Sequence, residues 1–281
     1  MNWKESRSLM RTILTFTTIP PRFQFLGRVL RQLEKQTIRP DRVELYVPKH
    51  YRRFAGEKPS LPPLPDWLEV FECEDDLGPA TKILPAVQKW RGSDVYLHYF
   101  DDDQKYDLRW LERFAAARKE RADDVLCERG FHLDEISIAH RQQAPTPAAK
   151  RLPLDGRTLG YQIKRSVSLW QWKPLRHGFS ESGYIDVAEG NGGVTIKPDW
   201  LSDSAFKIPD PLWTVDDVWL SGMLALAGRD IWVNDAGYIQ NSFPEASKLH
   251  PLYKHSEGGV NRREANQLCV DYFRNNFGVW R

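Results

Sequence analysis

Asp94-Val-Tyr-Leu-His-Tyr-Phe100 runs directly into Asp101-Asp102-Asp103. The first part is an unbroken series of β-branched, aromatic and aliphatic side chains, the pattern of a strand buried on both faces and so of a parallel sheet covered by helices. Three carboxylates cannot follow such a strand into a core, because burying unpaired charge is too costly, so they sit at the rim of the sheet. In open α/β sheets the rim at the strands' carboxyl ends is where ligands bind. Clustered hard oxygen ligands at that place suit Mg²⁺ or Mn²⁺. An acidic loop after a strand is often only a solvated turn, but three adjacent acids repel one another unless a cation or a proton intervenes. Residues i and i+2 can face the same side, which makes Asp101 and Asp103 the paired metal ligands and leaves Asp102 for a ribose or the metal's water shell.

Upstream, Thr12 to Thr18 reads as a first strand, and Phe25, Leu26, Val29, Leu30 and Leu33 recur at helical spacing, predicting a helix from Phe25 to Gln36. Val43 to Val47 is a second strand, giving a β-α-β opening with a right-handed crossover. Leu68 to Glu72 is a third, and Pro79 can open a helix towards Trp90 that Pro85 should kink or split. After the acidic triplet, Leu108, Leu111, Phe114 and Ala115 define a helix that Asp107 can cap. Residues 123–175 carry weakly strand-like pieces around Ile136 and Val167 to Trp172 and no legible topology. Further on, Gly190-Asn-Gly-Gly193 leads into a strand at Val194 to Ile196, Asp216-Asp217 start a helix running to Ala227, and Ile231 to Val233 is a last core strand. From Arg262 the spacing of Ala265, Leu268, Cys269, Tyr272 and Phe273 predicts a surface helix. With no repeat and no clear linker, one α/β domain spanning residues 1–281 is expected, its mostly parallel sheet flanked by helices. Residues of about 10–120 would form one half and those of about 121–281 the other.

The 40 basic and 38 acidic residues nearly cancel, which argues against nucleic acid as a partner and for a small molecule. Three cysteines, widely spaced and odd in number, indicate neither a disulfide framework nor a zinc site and fit a reducing cytoplasm. Met1 to Met10 is polar, the stretch Ile13 to Ile19 is too short and too polar for a signal or an anchor, and no transmembrane run occurs elsewhere. Peripheral membrane association stays open. The 11 tryptophans can fill a core or stack on sugar rings.

The acidic triplet at a strand end, after a strand-helix opening with Thr15-Phe-Thr-Thr18, resembles the D-x-D motif of GT-A glycosyltransferases, the nucleotide-diphospho-sugar transferase superfamily, and is family 2-like. The resemblance implies a Rossmann-like GT-A domain in which the motif holds Mn²⁺ or Mg²⁺ against a donor diphosphate, with a later acid near the acceptor. Val215-Asp-Asp-Val-Trp-Leu-Ser-Gly222 supplies that acid: Asp217 first and Asp216 next, although a helix start also welcomes carboxylates as caps. Asp76 is placed to accept a hydrogen bond from a pyrimidine N3–H. Lys82 can reach phosphate oxygens, and Thr17 and Arg22 are comparable base and phosphate contacts. The Gly190 to Gly193 loop reads equally as a plain turn or as a close backbone approach to sugar or acceptor, with Gly192, Gly193 and Glu189 as contacts. Some members of the family complete the metal shell with a C-terminal histidine, which points to His255, in a segment, Leu249 to Gly259, that can close as a lid.

The resulting expectation is a metal-dependent transfer of a sugar, with UDP-sugars favoured as donors, to a glycan or other hydroxyl acceptor, in cytoplasmic polysaccharide biosynthesis. A nucleotidyltransferase acting on sugar phosphates would want glycines and basic residues where Pro20-Pro21 stand, and a haloacid-type phosphatase would want an aspartate nucleophile ending the first strand, which carries threonines. A non-catalytic glycan- or nucleotide-binding scaffold would have no need of both acidic clusters.

Overall fold

The computed structural model describes residues 11–56, 60–137, 145–169, 171, 173–250, 252 and 259–281. Eight strands build the central sheet: β1 (Arg11–Thr17), β2 (Arg42–Pro48), β3 (Leu68–Cys73), β4 (Val95–Tyr99), β5 (Val125–Cys127), β6 (Gly183–Ile185), β7 (Val194–Ile196) and β8 (Ile231–Val233). Their order is β6-β8-β5-β7-β4-β1-β2-β3. β1 pairs in parallel with both β2 and β4, β2 with β3, and β5 with β8, whereas β7 runs antiparallel between β4 and β5, and β6 antiparallel beside β8. The main helices are α1 (Leu26–Leu33), α2 (Leu84–Trp90), α3 (Trp110–Glu120), α4 (Leu159–Val167), α5 (Asp216–Leu226) and α6 (Arg262–Phe277).

Alternation along the strands explains the layering. Ile13, Leu97 and Tyr99 point into one apolar cluster with α2, α5 and α6, while Leu14, Phe16 and Phe100 point into another with α1 and α3. β4 is buried along its whole length, as its composition requires. The helix expected from Phe25 to Gln36 is shorter: a 3₁₀ turn over Pro20–Phe25 precedes α1. Pro85 splits its helix as expected, leaving a 3₁₀ turn at Gly78–Lys82 ahead of α2. Asp107 accepts the Arg109 amide at 3.0 Å just ahead of α3. α6 is more embedded than a surface helix, with Ala265, Cys269, Val270 and Phe273 all buried, and Asn261 and Glu264 cap it reciprocally.

The strand readings in the middle of the chain are corrected. Ile136 closes a 3₁₀ turn over Leu133–Glu135, and Val167 ends α4 instead of opening a strand. Thr158 accepts the Tyr161 amide and starts that helix, a local capping signal that outweighs the β-branched residues inside it. All three cysteines are free.

Candidate active site

Because β1 to β4 run in one direction, their carboxyl ends share an edge, and the residues just beyond them line one cavity of about 310 Å³. Thr17 ends β1 and Thr18 follows it, Asp76 follows β3, and Asp101, Asp102 and Asp103 follow β4. The antiparallel β7 begins at this edge, Val194 lying opposite Tyr99, and so brings Glu189 and Asn191 to the cavity. The first turn of α5 supplies Asp216 and Asp217, and the first turn of α6 supplies Arg262.

Each member of the acidic triplet has a different partner. Asp102 is buried, accepts a hydrogen bond from the Thr18 hydroxyl at 2.5 Å and pairs with Arg22 at 2.8 Å. The same guanidinium reaches Asp103 at 3.2 Å, and the Gln104 amide donates to Asp103 at 2.7 Å. Asp101 pairs with Lys82 at 2.7 Å, while the Tyr106 hydroxyl accepts from its backbone N–H at 3.1 Å and donates to its carbonyl at 3.0 Å. Tyr106 is itself stacked on Trp110, with ring centroids 4.0 Å apart. The rim is therefore fixed from the core side.

Lys82 links the triplet to α5, since its ammonium lies 2.7 Å from Asp101 and 2.9 Å from Asp216. Burial works against its charge, but Asp101, Asp216 and Asp217 outweigh burial and raise its pKa. Asp217 accepts the Gly190 amide at 2.9 Å, and its nearest cation among the described residues is Arg262 at 3.8 Å. Burial, followed by Asp216, pushes its carboxyl up to about 7 against the pull of Lys82 and Arg262. Asp103 is pushed up to about 6 by burial, with Arg22 opposing and Asp102 and Asp101 adding to the shift. Asp76 takes the amides of Arg52 and Gly78 at 2.7 and 2.8 Å, yet burial still raises its carboxyl.

Thr17, Arg22, Asp76, Lys82, Asp102 and Glu189 thus share one cavity with Asp101, Asp103, Asp216 and Asp217. Thr17, however, donates its hydroxyl to the Tyr46 carbonyl at 2.7 Å, and it is Thr18 that meets the triplet. Gly192 and Gly193 are not among the residues lining the cavity. A Cβ on Gly192 would meet the half-buried Arg129 at 2.7 Å, and one on Gly193, at φ +87°, would meet the core residue Trp110 at 2.5 Å, so their close approaches are to the protein itself. In this loop it is Gly190 whose Cβ would strike Lys82 at the cavity. His255 lies outside the described residues. Residues that the sequence did not single out also line the cavity, among them Tyr51, Arg53, Trp213 and Arg262. Gly78, at φ +61°, lies against the Trp213 ring, whose Nε1 donates to the Asp76 carbonyl at 3.1 Å.

Among the described residues no three His, Cys, Asp or Glu side chains form a ready metal cage. A divalent ion needs no such cage when substrate phosphates and water supply the remaining oxygens, and one or two carboxylates then suffice. The cavity's charge favours such an ion: its described lining holds seven carboxylates against the four cations Arg22, Arg53, Lys82 and Arg262. An anionic ligand fits that surplus only if a cation comes with it. Asp101 and Asp103 are among the carboxylates at the cavity wall with oxygens that can serve such an ion.

In sequence the chain matches no family model and no curated protein. In structure it is similar to GalNAc-T7, described with UDP, GalNAc and Mn²⁺, at a TM-score of 0.50 and 12% identity over 96% of this chain and 50% of that one. The fold is of the GT-A type. Weaker likenesses are to S. aureus TarS 1–349, at a TM-score of 0.45 and 15% identity, and to its complex with UDP, at 0.44 and 16%. Both cover 82% of this chain and 59% of theirs. The GT-A chain described here thus spans about half to three-fifths of the length of these proteins.

Proposed function

We propose that this protein is a glycosyltransferase that moves a sugar from a nucleoside-diphosphate donor, with UDP-sugars favoured, to a hydroxyl of a glycan or similar acceptor, with Mn²⁺ or Mg²⁺ as cofactor. The observation that carries this reading is the shared cation Lys82, which holds the rim acid Asp101 and the α5 acid Asp216 at the wall of one cavity, beside the near-neutral Asp217.

The chemistry breaks the bond between an anomeric carbon and a diphosphate oxygen, and negative charge grows on the departing diphosphate. Asp101 and Asp103 would hold a divalent ion, which would supply neutralisation of that charge as it forms. Arg22 orients Asp103 and keeps Asp102 paired, and Tyr106 fixes the backbone of Asp101. Lys82 is a structural cation more than a phosphate hook, because both its carboxylate partners are already within 3 Å. Asp76 has lone pairs beyond those used by the two amides and can take a pyrimidine N3–H. Asp217 accepts the proton of the acceptor hydroxyl, a task suited to a carboxyl with a pKa near the working pH. Asp216 stays with Lys82 and orients it.

The test is thermal stabilisation by UDP with and without Mn²⁺, paired with a transfer and donor-hydrolysis screen over nucleotide sugars. The wild type should melt higher with UDP and Mn²⁺ together than with either alone. Asp103→Asn should lose that gain and all transfer while melting normally without ligand. Full transfer by Asp103→Asn, or UDP stabilisation indifferent to a chelator, would overturn the reading. A response to free sugar but not to UDP would mark a binding module instead.

A further inference from the structure

A surface helix on a soluble domain ordinarily turns its apolar stripe inward. α4 does the reverse. Tyr161 is its buried anchor, while Leu159, Ile163 and Val167, spaced four apart on one face, are 77, 55 and 81% exposed. Leu169 and Leu175, beyond its end, are 78 and 50% exposed. These side chains cluster in a single excursion of the chain between two paired strands, Lys150–Arg151 and Phe179–Glu181, unlike the singly scattered exposed leucines that any protein shows.

The charge of the same excursion is one-sided. Residues 156–178 contain five lysines and arginines and no aspartate or glutamate, in a chain whose totals are 40 and 38. Arg157, Lys164 and Lys173 are exposed, and none of them has an ion-pair partner among the described residues. The stretch also carries Trp170 and Trp172 in sequence. A protein partner would need an apolar groove matched to a short stripe. An anionic bilayer needs only an outward apolar face with flanking cations, and both are present among the described residues.

We infer that α4, with Leu169 and Leu175 beyond it, forms a membrane-docking surface, seated on anionic lipid headgroups with Leu159, Ile163 and Val167 entering the acyl boundary. The apolar side chains supply area and the lysines and arginines supply attraction, and neither alone gives stable anchoring. This surface lies on a helix that contributes no residue to the lining of the cavity. It does not depend on the proposed transfer, and its test uses neither donor nor acceptor.

The experiment is co-sedimentation of the full chain with vesicles of phosphatidylglycerol and phosphatidylcholine, and with phosphatidylcholine alone, across a salt series. The wild type should bind the anionic vesicles, more weakly as salt rises, and hardly bind the neutral ones. Leu159→Gln/Ile163→Gln/Val167→Gln should weaken binding at least about tenfold. Lys164→Gln/Lys173→Gln should weaken it by roughly fivefold for each charge removed. Because all five positions are exposed, both variants should keep the wild-type melting temperature, and a variant that melts lower is replaced by the single substitutions Val167→Gln and Lys173→Gln. Wild-type protein that stays in the supernatant, or variants that bind undiminished, would overturn the inference. So would light scattering that shows a wild-type dimer converted to monomer by the triple substitution without any vesicle binding, since the occupant would then be a second copy of the chain.

Discussion

The acidic run on the rim and the acidic pair on α5 are made of the same residue type, yet they settle their repulsion differently. On the rim, three carboxylates share Arg22 and one side of Lys82. On α5, two carboxylates share the other side of Lys82 and a distant arginine. Together the five carboxylates have three cations, and in each cluster a single carboxyl takes up the strain: Asp103, pushed up to about 6, and Asp217, pushed up to about 7. Adjacent acids with divided environments acquire divided tasks, one set as a cation cradle and the other as a proton acceptor.

Asp217→Asn should act most strongly. Losing a positioned base lowers kcat/KM by roughly 10²–10⁴-fold. Denaturant unfolding should find the variant no less stable than the wild type, because the substitution also removes a repulsion. Next in size is Lys82→Met, which strips both clusters of their common partner inside a buried site. Breaking such a pair costs about 3–5 kcal/mol, readable as a shift of the urea midpoint. Adding Asp216→Asn to Lys82→Met should recover part of that loss, and full additivity of the two changes would show that the pair is not coupled. Thr18→Val should cost about 1–3 kcal/mol, because it leaves a buried Asp102 oxygen without its donor. It affects the rim alone, so the pH at which Asp217 titrates should hold.

The pH dependence is the subtlest effect. Activity should rise as Asp217 loses its proton and level off above about 7. Stability should run the opposite way. The folded chain holds this proton more tightly than the unfolded chain, so between the ordinary carboxylate range and about 7 each upward step in pH removes stability. Relative to the wild type, Asp217→Asn should therefore gain stability as pH rises through that window and gain no more above it. Equilibrium unfolding at several pH values would show parallel curves if Asp217 were unperturbed.

The first four strands, the rim acids and the start of α5 were legible because burial on both faces leaves continuous apolar runs, and charges at the end of such runs have only one place to go. Asp76 was legible through its position just after a strand, and Lys82 and Arg22 through the turns that follow strands. Thr18 was not, because the strand ends at Thr17, whose hydroxyl is spent on β2, and only the coordinates show which threonine turns to the rim. Arg262 and Trp213 reach the cavity from elements far along the chain, which no local pattern reveals. At Gly192 and Gly193 the sequence leaves a plain turn and a close approach to ligand equally open, because glycine permits close approach without saying what approaches, and here it is Arg129, His98 and Trp110. The middle of the chain misled through Val167, where capping by Thr158 and an outward apolar stripe made a helix of residues that resemble a strand.

The reversed strand β7 carries a consequence for redesign. Since it meets the rim with its beginning, the turn over Gly190–Gly192 and Gly193 must both close the sheet and shape the pocket, and Cβ atoms at Gly190, Gly192 and Gly193 would collide with Lys82, Arg129 and Trp110 respectively. Asn191 is the one position of the turn with latitude, so a library aimed at new acceptor preference is better spent on Asn191, Trp213 and Arg262 than on the glycines that bracket it.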